Sequence, residues 1–188
     1  MKIIALASLT LIAATGLVVA PAQAATTAAT ACPVATKAEA AAKLDKPARG
    51  ATAIKGVRVG YLPKGFAHGQ VVVNKGRGVT EYGYQWSDDR DDVDSKHRSL
   101  WVRVVCWPKA KTLTQLKGIP VDQGTFSGDT KIETIGGRKV LVQEGDGALG
   151  HGRYVGWVER KGVVVTVMAS RPLVRSLDKI VKGVRLPG

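Results

Sequence analysis

The chain predicts an α+β protein: an antiparallel sheet of about six or seven strands with a C-terminal amphipathic helix packed on one face, preceded by a signal peptide and a flexible Ala/Thr-rich segment. Three observations predict it. Apolar and aromatic runs of period two recur between Gly-rich turns from residue 70 to residue 168. Short Gly-bearing connections, Gly136-Gly137 and Arg160-Lys161-Gly162, separate pairs of such runs. One stripe of helical period closes the chain: Leu173, Val174, Leu177, Ile180, Val181 and Val184 lie at i, i+1, i+4, i+7, i+8 and i+11.

At the N-terminus, Met1-Lys2 is a short basic start, residues 3–20 are apolar, and Pro21-Ala22-Gln23-Ala24 supplies small residues where a signal peptidase reads them. Residues 1–24 read as a secretory signal peptide, cleaved between Ala24 and Ala25. The alternative is a retained anchor, since a run of about 18 residues approaches a spanning length. Pro21 and the small-residue site favour cleavage, and no second run of that kind exists, so no membrane span is expected afterwards. A lipidated Cys32 is disfavoured by its weak Ala29-Thr30-Ala31 box. Residues 25–50 form a flexible segment. Within it, residues 34–44 suit a short Ala-rich helix, with Glu39 four positions before Lys43. Residues 51–188 read as a single domain, expected to be a monomer.

In that domain, 70–74 is a Val-rich strand ending in the turn Lys75-Gly76-Arg77-Gly78. Tyr82, Tyr84 and Trp86 then alternate with Glu81, Gly83 and Gln85, a strand with one aromatic face. Residues 100–107 put Leu100, Val102, Val104 and Cys106 on one face and Trp101, Arg103, Val105 and Trp107 on the other. Both faces are largely apolar, which predicts a central strand stopped by Pro108. A short helix is expected over 111–117. Hairpins follow over 131–143 and 154–168. The final helix takes Pro172 in its first turn, Gly183 at its C-terminal cap, and Asp178 four residues before Lys182. The aromatic residues Tyr82, Tyr84, Trp86, Trp101, Trp107, Tyr154 and Trp157 are expected in the core, although an exposed sheet face of this kind can stack sugars or peptides.

The whole chain carries a net charge of +13. Removal of residues 1–24 takes away only Lys2, leaving +12. Basic residues dominate 25–77 and 153–188 and flank a near-neutral centre. Such a field suits anionic partners, namely an anionic cell-wall polymer or an acidic protein. No basic run or basic-aromatic stripe favours nucleic acid. Cys32 and Cys106 are the only cysteines, and in an oxidising compartment they predict one disulfide.

Catalytic constellations are missing. No Gly-x-Ser-x-Gly occurs, and Ser176-Leu177-Asp178-Lys179 matches Ser-x-x-Lys without its companion motifs. Gly145 to Gly152 is Gly-rich but is followed by a strand, unlike a phosphate cradle. His68, His97 and His151 are far apart in predicted loops, and no zinc spacing is present, so no catalytic or metal residue and no cofactor is assigned. Asp88-Asp89-Arg90-Asp91-Asp92-Val93-Asp94 could offer oxygens to calcium, but it lacks the Gly and closing Glu of a calcium loop and reads as a solvated connection.

The segment Gly156-Trp157-Val158-Glu159-Arg160-Lys161-Gly162-Val163, with the strand and helix after it, and Tyr61-Leu62-Pro63-Lys64-Gly65-Phe66 before it, resembles uncharacterised bacterial extracytoplasmic proteins related to lipoprotein-carrier-like and sigma-factor-regulator sensor domains. The resemblance implies binding or sensing without catalysis; the chain departs from those proteins in lacking a transmembrane anchor. The expected function is therefore a secreted, non-enzymatic binding protein of the bacterial envelope or exterior, with an anionic ligand. The alternatives are a secreted hydrolase assembled from His151, Asp146 and Ser127, and a secreted inhibitor or toxin.

Overall fold

The computed structural model describes residues 32–37, 43–44, 47–50, 53–89, 96–145 and 152–186. The expected signal segment, the Ala24/Ala25 cleavage point, Asp146, His151 and the part of the acidic run from 90 to 94 lie outside them.

Ten strands are present among the described residues: β1 (Lys43–Leu44), β2 (Arg58–Val59), β3 (His68–Gly76), β4 (Val79–Ser87), β5 (Ser99–Cys106), β6 (Thr130–Ile135), β7 (Arg138–Glu144), β8 (Arg153–Arg160), β9 (Val163–Ala169) and β10 (Val184–Arg185). Helix α1 spans Leu177–Gly183, and 3-10 turns span Leu113–Gly118 and Arg171–Ser176. Eight strands form one antiparallel sheet in the order β1-β3-β4-β5-β9-β8-β7-β6; β10 and β2 form a separate ladder. Seven of the eight are long, as the periodicity predicts, and β5 lies inside the sheet between β4 and β9.

The β6–β7 turn shows why the chain reverses where it does. Gly136 and Gly137 both take positive φ, 59° and 77°. That geometry matches the twist of the flanking strands and is open mainly to glycine. The β8–β9 hairpin carries a bulge between Val158 and Arg160.

Tyr82, Tyr84, Trp86, Leu100, Val102, Val104, Val165 and Val167 are buried on one face. Leu177, Ile180 and Val181 of α1 cover them, together with Val59 and Val184 of the small ladder. The second face is also covered. Because β9, β8 and β7 lie between β5 and β6, the connection from 107 to 129 crosses the sheet. It sets Leu116, Ile119, Val121 and Phe126 against Val105, Leu141, Tyr154, Val164 and Met168. The sheet is thus a middle layer.

Cys32 and Cys106 are joined, with Cα atoms 6.0 Å apart and 74 positions of separation. Closing a loop of that size removes unfolded-chain entropy worth about 4.5 kcal/mol in the loop-closure model. Nearby residues are fastened as well: the Ala48 N–H donates to the Tyr84 hydroxyl at 2.9 Å, and the Trp86 indole donates to the Ala48 carbonyl at 2.9 Å.

Three expectations are corrected. Lys43–Leu44, placed at the end of an Ala-rich helix, are strand, paired with Gln70 and Gly69; sheet pairing outweighs local propensity. The terminal helix opens as a 3-10 turn containing Pro172 and becomes α-helical only at Leu177. Asp178 turns from Lys182 toward the β6–β7 hairpin, where it accepts the Gly136 N–H at 2.7 Å.

Candidate functional site

The first site is a cationic face built by two periodicities. In the β2–β10 ladder, Val59 opposes Val184 and Arg58 opposes Arg185. Both valines are buried, so alternation sends both arginines outward. On α1, Leu177, Ile180 and Val181 are buried, which leaves Lys179 and Lys182, three positions apart, on the solvent side. A Gly60 N–H to Gly183 carbonyl bond of 2.8 Å holds ladder and helix together. The result is a shallow depression of about 350 Å³ lined by Arg58, Tyr61, Lys179, Lys182 and Arg185. Among the described residues, no carboxylate lines it. The ammonium of Lys179 sits 5.9 Å from the Tyr61 ring centroid. Among the described residues, none of the four cations makes an ion pair. Like charges placed directly across a ladder repel, so an anion seated here would relieve that repulsion.

The second site is a cleft of about 530 Å³ on the opposite face, between the sheet and the crossover. Its floor is one row of register partners: Gln85 opposes Trp101, Trp101 opposes Met168, Met168 opposes Tyr154, and Tyr154 opposes Gln143. All five line it. The row toward the mouth holds only small residues, with Ser99, Ser170, Gly152 and Gly145 in the lining. The row behind is closed. A Cβ on Gly156 would stand 2.7 Å from the Phe126 ring, and one on Gly83 would stand 2.6 Å from the Arg103 side chain.

Arg103 anchors that closed end. It is buried and donates to Glu81 at 3.0 Å, Thr166 at 3.1 Å, the Tyr154 hydroxyl at 2.7 Å, and the Gln123 and Gly124 carbonyls at 2.9 and 3.1 Å. The last two bonds fasten the crossover to the sheet. Burial pushes the Glu81 carboxyl above its ordinary value, and the Arg103 charge offsets this only in part. Burial likewise raises Tyr154, whose hydroxyl stays neutral and accepts from Arg103. At the other end of the crossover, Gln143 Oε1 accepts the Gly128 N–H at 3.0 Å.

Of the hydrolase set His151, Asp146 and Ser127, only Ser127 lies among the described residues. Ser127 lines the cleft, 3.3 Å from the Thr125 hydroxyl, while His151 and Asp146 lie outside the described residues. Their flanking residues are joined by a Gly145 N–H to Gly152 carbonyl bond of 2.7 Å. The other histidines are elsewhere: His68 opens β3, and His97 is buried just before β5. In the acidic run, Asp88 is committed internally, accepting from the Arg98 N–H at 2.7 Å and from its guanidinium at 2.8 Å. Partial burial raises the Asp88 carboxyl, but these bonds outweigh it and hold it below the usual range. Among the described residues, no group of three His, Cys, Asp or Glu side chains could hold a metal. Of the aromatics, Tyr82, Tyr84, Trp86, Tyr154 and Trp157 are buried, whereas Trp101 and Trp107 are half-buried.

Periodicity missed both sites for the same reason: each depends on pairing between distant segments. The local signals of the cationic face are the outward alternation of Arg58-Val59 and Val184-Arg185 and the helical stripe that leaves Lys179 and Lys182 on the solvent side; what brings them together is not local. No family model matches the chain, and neither a curated protein nor a solved structure matches it.

Proposed function

We propose that the protein is a secreted, non-enzymatic binding protein of the bacterial envelope or exterior, and that the Arg58/Lys179/Lys182/Arg185 face holds an anionic ligand. The ligand is an anionic wall polymer or an acidic protein surface. One observation carries this reading: Arg58 from the basic zone 25–77 meets Lys179, Lys182 and Arg185 from the basic zone 153–188, with no carboxylate among the described lining residues. Four cations that make no ion pair among the described residues attract a polyanion at this surface through counter-ion release, so binding weakens steeply with salt. The disulfide suits an oxidising compartment, and no described helix is long and apolar enough to cross a membrane.

The test is co-sedimentation of the mature protein with isolated cell-wall and envelope fractions across a salt series. Binding at low salt, its loss at high salt, and its loss in a Lys179→Glu/Lys182→Glu variant are expected. Each removed charge lowers the slope of log affinity against log salt by about one if its contact is with a phosphate of the polymer. Recovery of nothing at low salt, or undiminished binding by the variant, overturns the reading.

A further inference from the structure

We propose that the cleft under the crossover is a second and independent binding site, for a short neutral carbohydrate. Three features point to that chemistry.

The first is charge. Among the described residues, no carboxylate lines the cleft. Its one lining cation, Arg153, is met by Glu144 at 2.9 Å and Glu133 at 3.6 Å. Among the described residues the lining therefore carries no unbalanced charge for an ion, in contrast to the cationic face.

The second is the floor. Trp101, Met168 and Tyr154 give its centre a polarizable apolar character, with Trp101 half-buried. The Gln85 and Gln143 amides stand at its two ends, and Ser99, Ser127 and Ser170 surround it. Amides and hydroxyls both donate and accept, as sugar hydroxyls do, while the C–H face of a sugar ring packs on an aromatic surface. Five strands at about 4.8 Å spacing make this row roughly 19 Å long, which suits a short oligomer. The volume lies within the ordinary range of small-ligand sites.

The third is what the backbone cannot do. An extended peptide is captured by adding a strand to a sheet edge. The cleft floor is a sheet face instead, and β5, β9 and β8 beneath it are paired on both sides. An acyl chain would place its methylenes against two amides and three serines. A carbohydrate can exchange further hydrogen bonds with these amides and hydroxyls, which keep donor and acceptor capacity beyond the internal bonds they make, whereas an acyl chain cannot.

The test is a titration of the mature, disulfide-bonded protein, followed by intrinsic tryptophan fluorescence. The probes are maltotriose, cellotriose and tri-N-acetylchitotriose, with an uncharged tripeptide and a medium-chain alcohol in parallel. At least one sugar is expected to give a saturable change at millimolar concentration or below, insensitive to salt. Trp101→Ala should weaken it at least tenfold, and Gln85→Ala/Gln143→Ala should weaken it while leaving the fold intact by circular dichroism. If Trp101→Ala does not fold, the glutamine pair decides the question. Lys179→Glu/Lys182→Glu should leave sugar binding unchanged, so loss of wall binding and loss of sugar binding are separately visible. The proposal is overturned if no sugar saturates, if only the peptide or the alcohol does, or if the glutamine variant binds the sugar as tightly as the parent.

Discussion

The two faces of the sheet are buried by different means. On the helix side, valine, leucine and aromatic side chains meet α1 with hydroxyl and indole groups tied off at Ala48. On the crossover side the apolar cluster is smaller, and a buried arginine completes it by binding two crossover carbonyls. The difference teaches that cover without helical or strand periodicity needs polar fastening. A segment with no apolar stripe buries too little area to dock by the hydrophobic effect alone. Its backbone carbonyls still require partners, and Arg103 supplies two of them.

The largest expected effect tests that fastening. Arg103→Met keeps much of the volume but strands Glu81 and frees the crossover. Breaking a buried pair from one side costs about 3–5 kcal/mol. The cost should depend on pH. Glu81 already has a raised folded-state value, and loss of Arg103 raises it further. A raised carboxyl contributes stability below its unfolded value and loses it as pH rises through the folded value. Urea unfolding should therefore show a larger deficit at neutral pH than under mildly acidic conditions. An equal deficit at both would mean that Glu81 does not depend on Arg103.

The helix side should answer to volume and not to pH. Leu177 is buried on α1. Leu177→Ala leaves a cavity, with a cost of about 2–5 kcal/mol. No ionisable group touches that effect, so it should be constant over the same pH interval. If the Leu177→Ala deficit tracked pH as the Arg103→Met deficit does, the contrast between the faces would fail.

An intermediate effect probes where apolar cover and polar fastening meet. Gly156 lies beneath Phe126 and Leu116, whose atoms would approach an added Cβ to 2.7 and 2.9 Å. Gly156→Ala should cost about 1–3 kcal/mol through overpacking. It should also raise hydrogen exchange in 113–128 more than in α1. A uniform rise over both would show that the two faces do not open separately.

What the sequence disclosed follows the same division. The aromatic alternation of Tyr82, Tyr84 and Trp86 and the two-faced apolar pattern of 100–107 are local signals, and they placed β4 and the interior strand β5. Gly136-Gly137 declared its turn because few residues other than glycine take that conformation readily. Two cysteines allowed one intramolecular pairing. The crossover was illegible, since 107–129 has no period and its position follows from β6 lying at the far edge. Arg103 read as one polar break in an apolar strand, because its five acceptors come from residues 81, 123, 124, 154 and 166. Residues 43–44 look helical in isolation and become strand because β3 offers an edge. Both sites depend on register between distant strands, which a reading of local periodicity does not contain.

The smallest effect concerns the far end of the crossover. Gln143 projects from β7 and holds the Gly128 N–H at 3.0 Å, at an exposed position. Water can replace that bond, so Gln143→Ala should cost no more than about 1 kcal/mol. Denaturation will barely register it. Exchange of the Gly128 amide should register it clearly, because that proton loses its acceptor while the Arg103 end stays fastened. Faster exchange at Gly128 with unchanged protection near 123–124 would show that the crossover is pinned at two separable points. Loss of protection along its whole length would show instead that Gln143 and Arg103 act as one clamp, and the apolar cluster beneath would then be too weak to hold the segment.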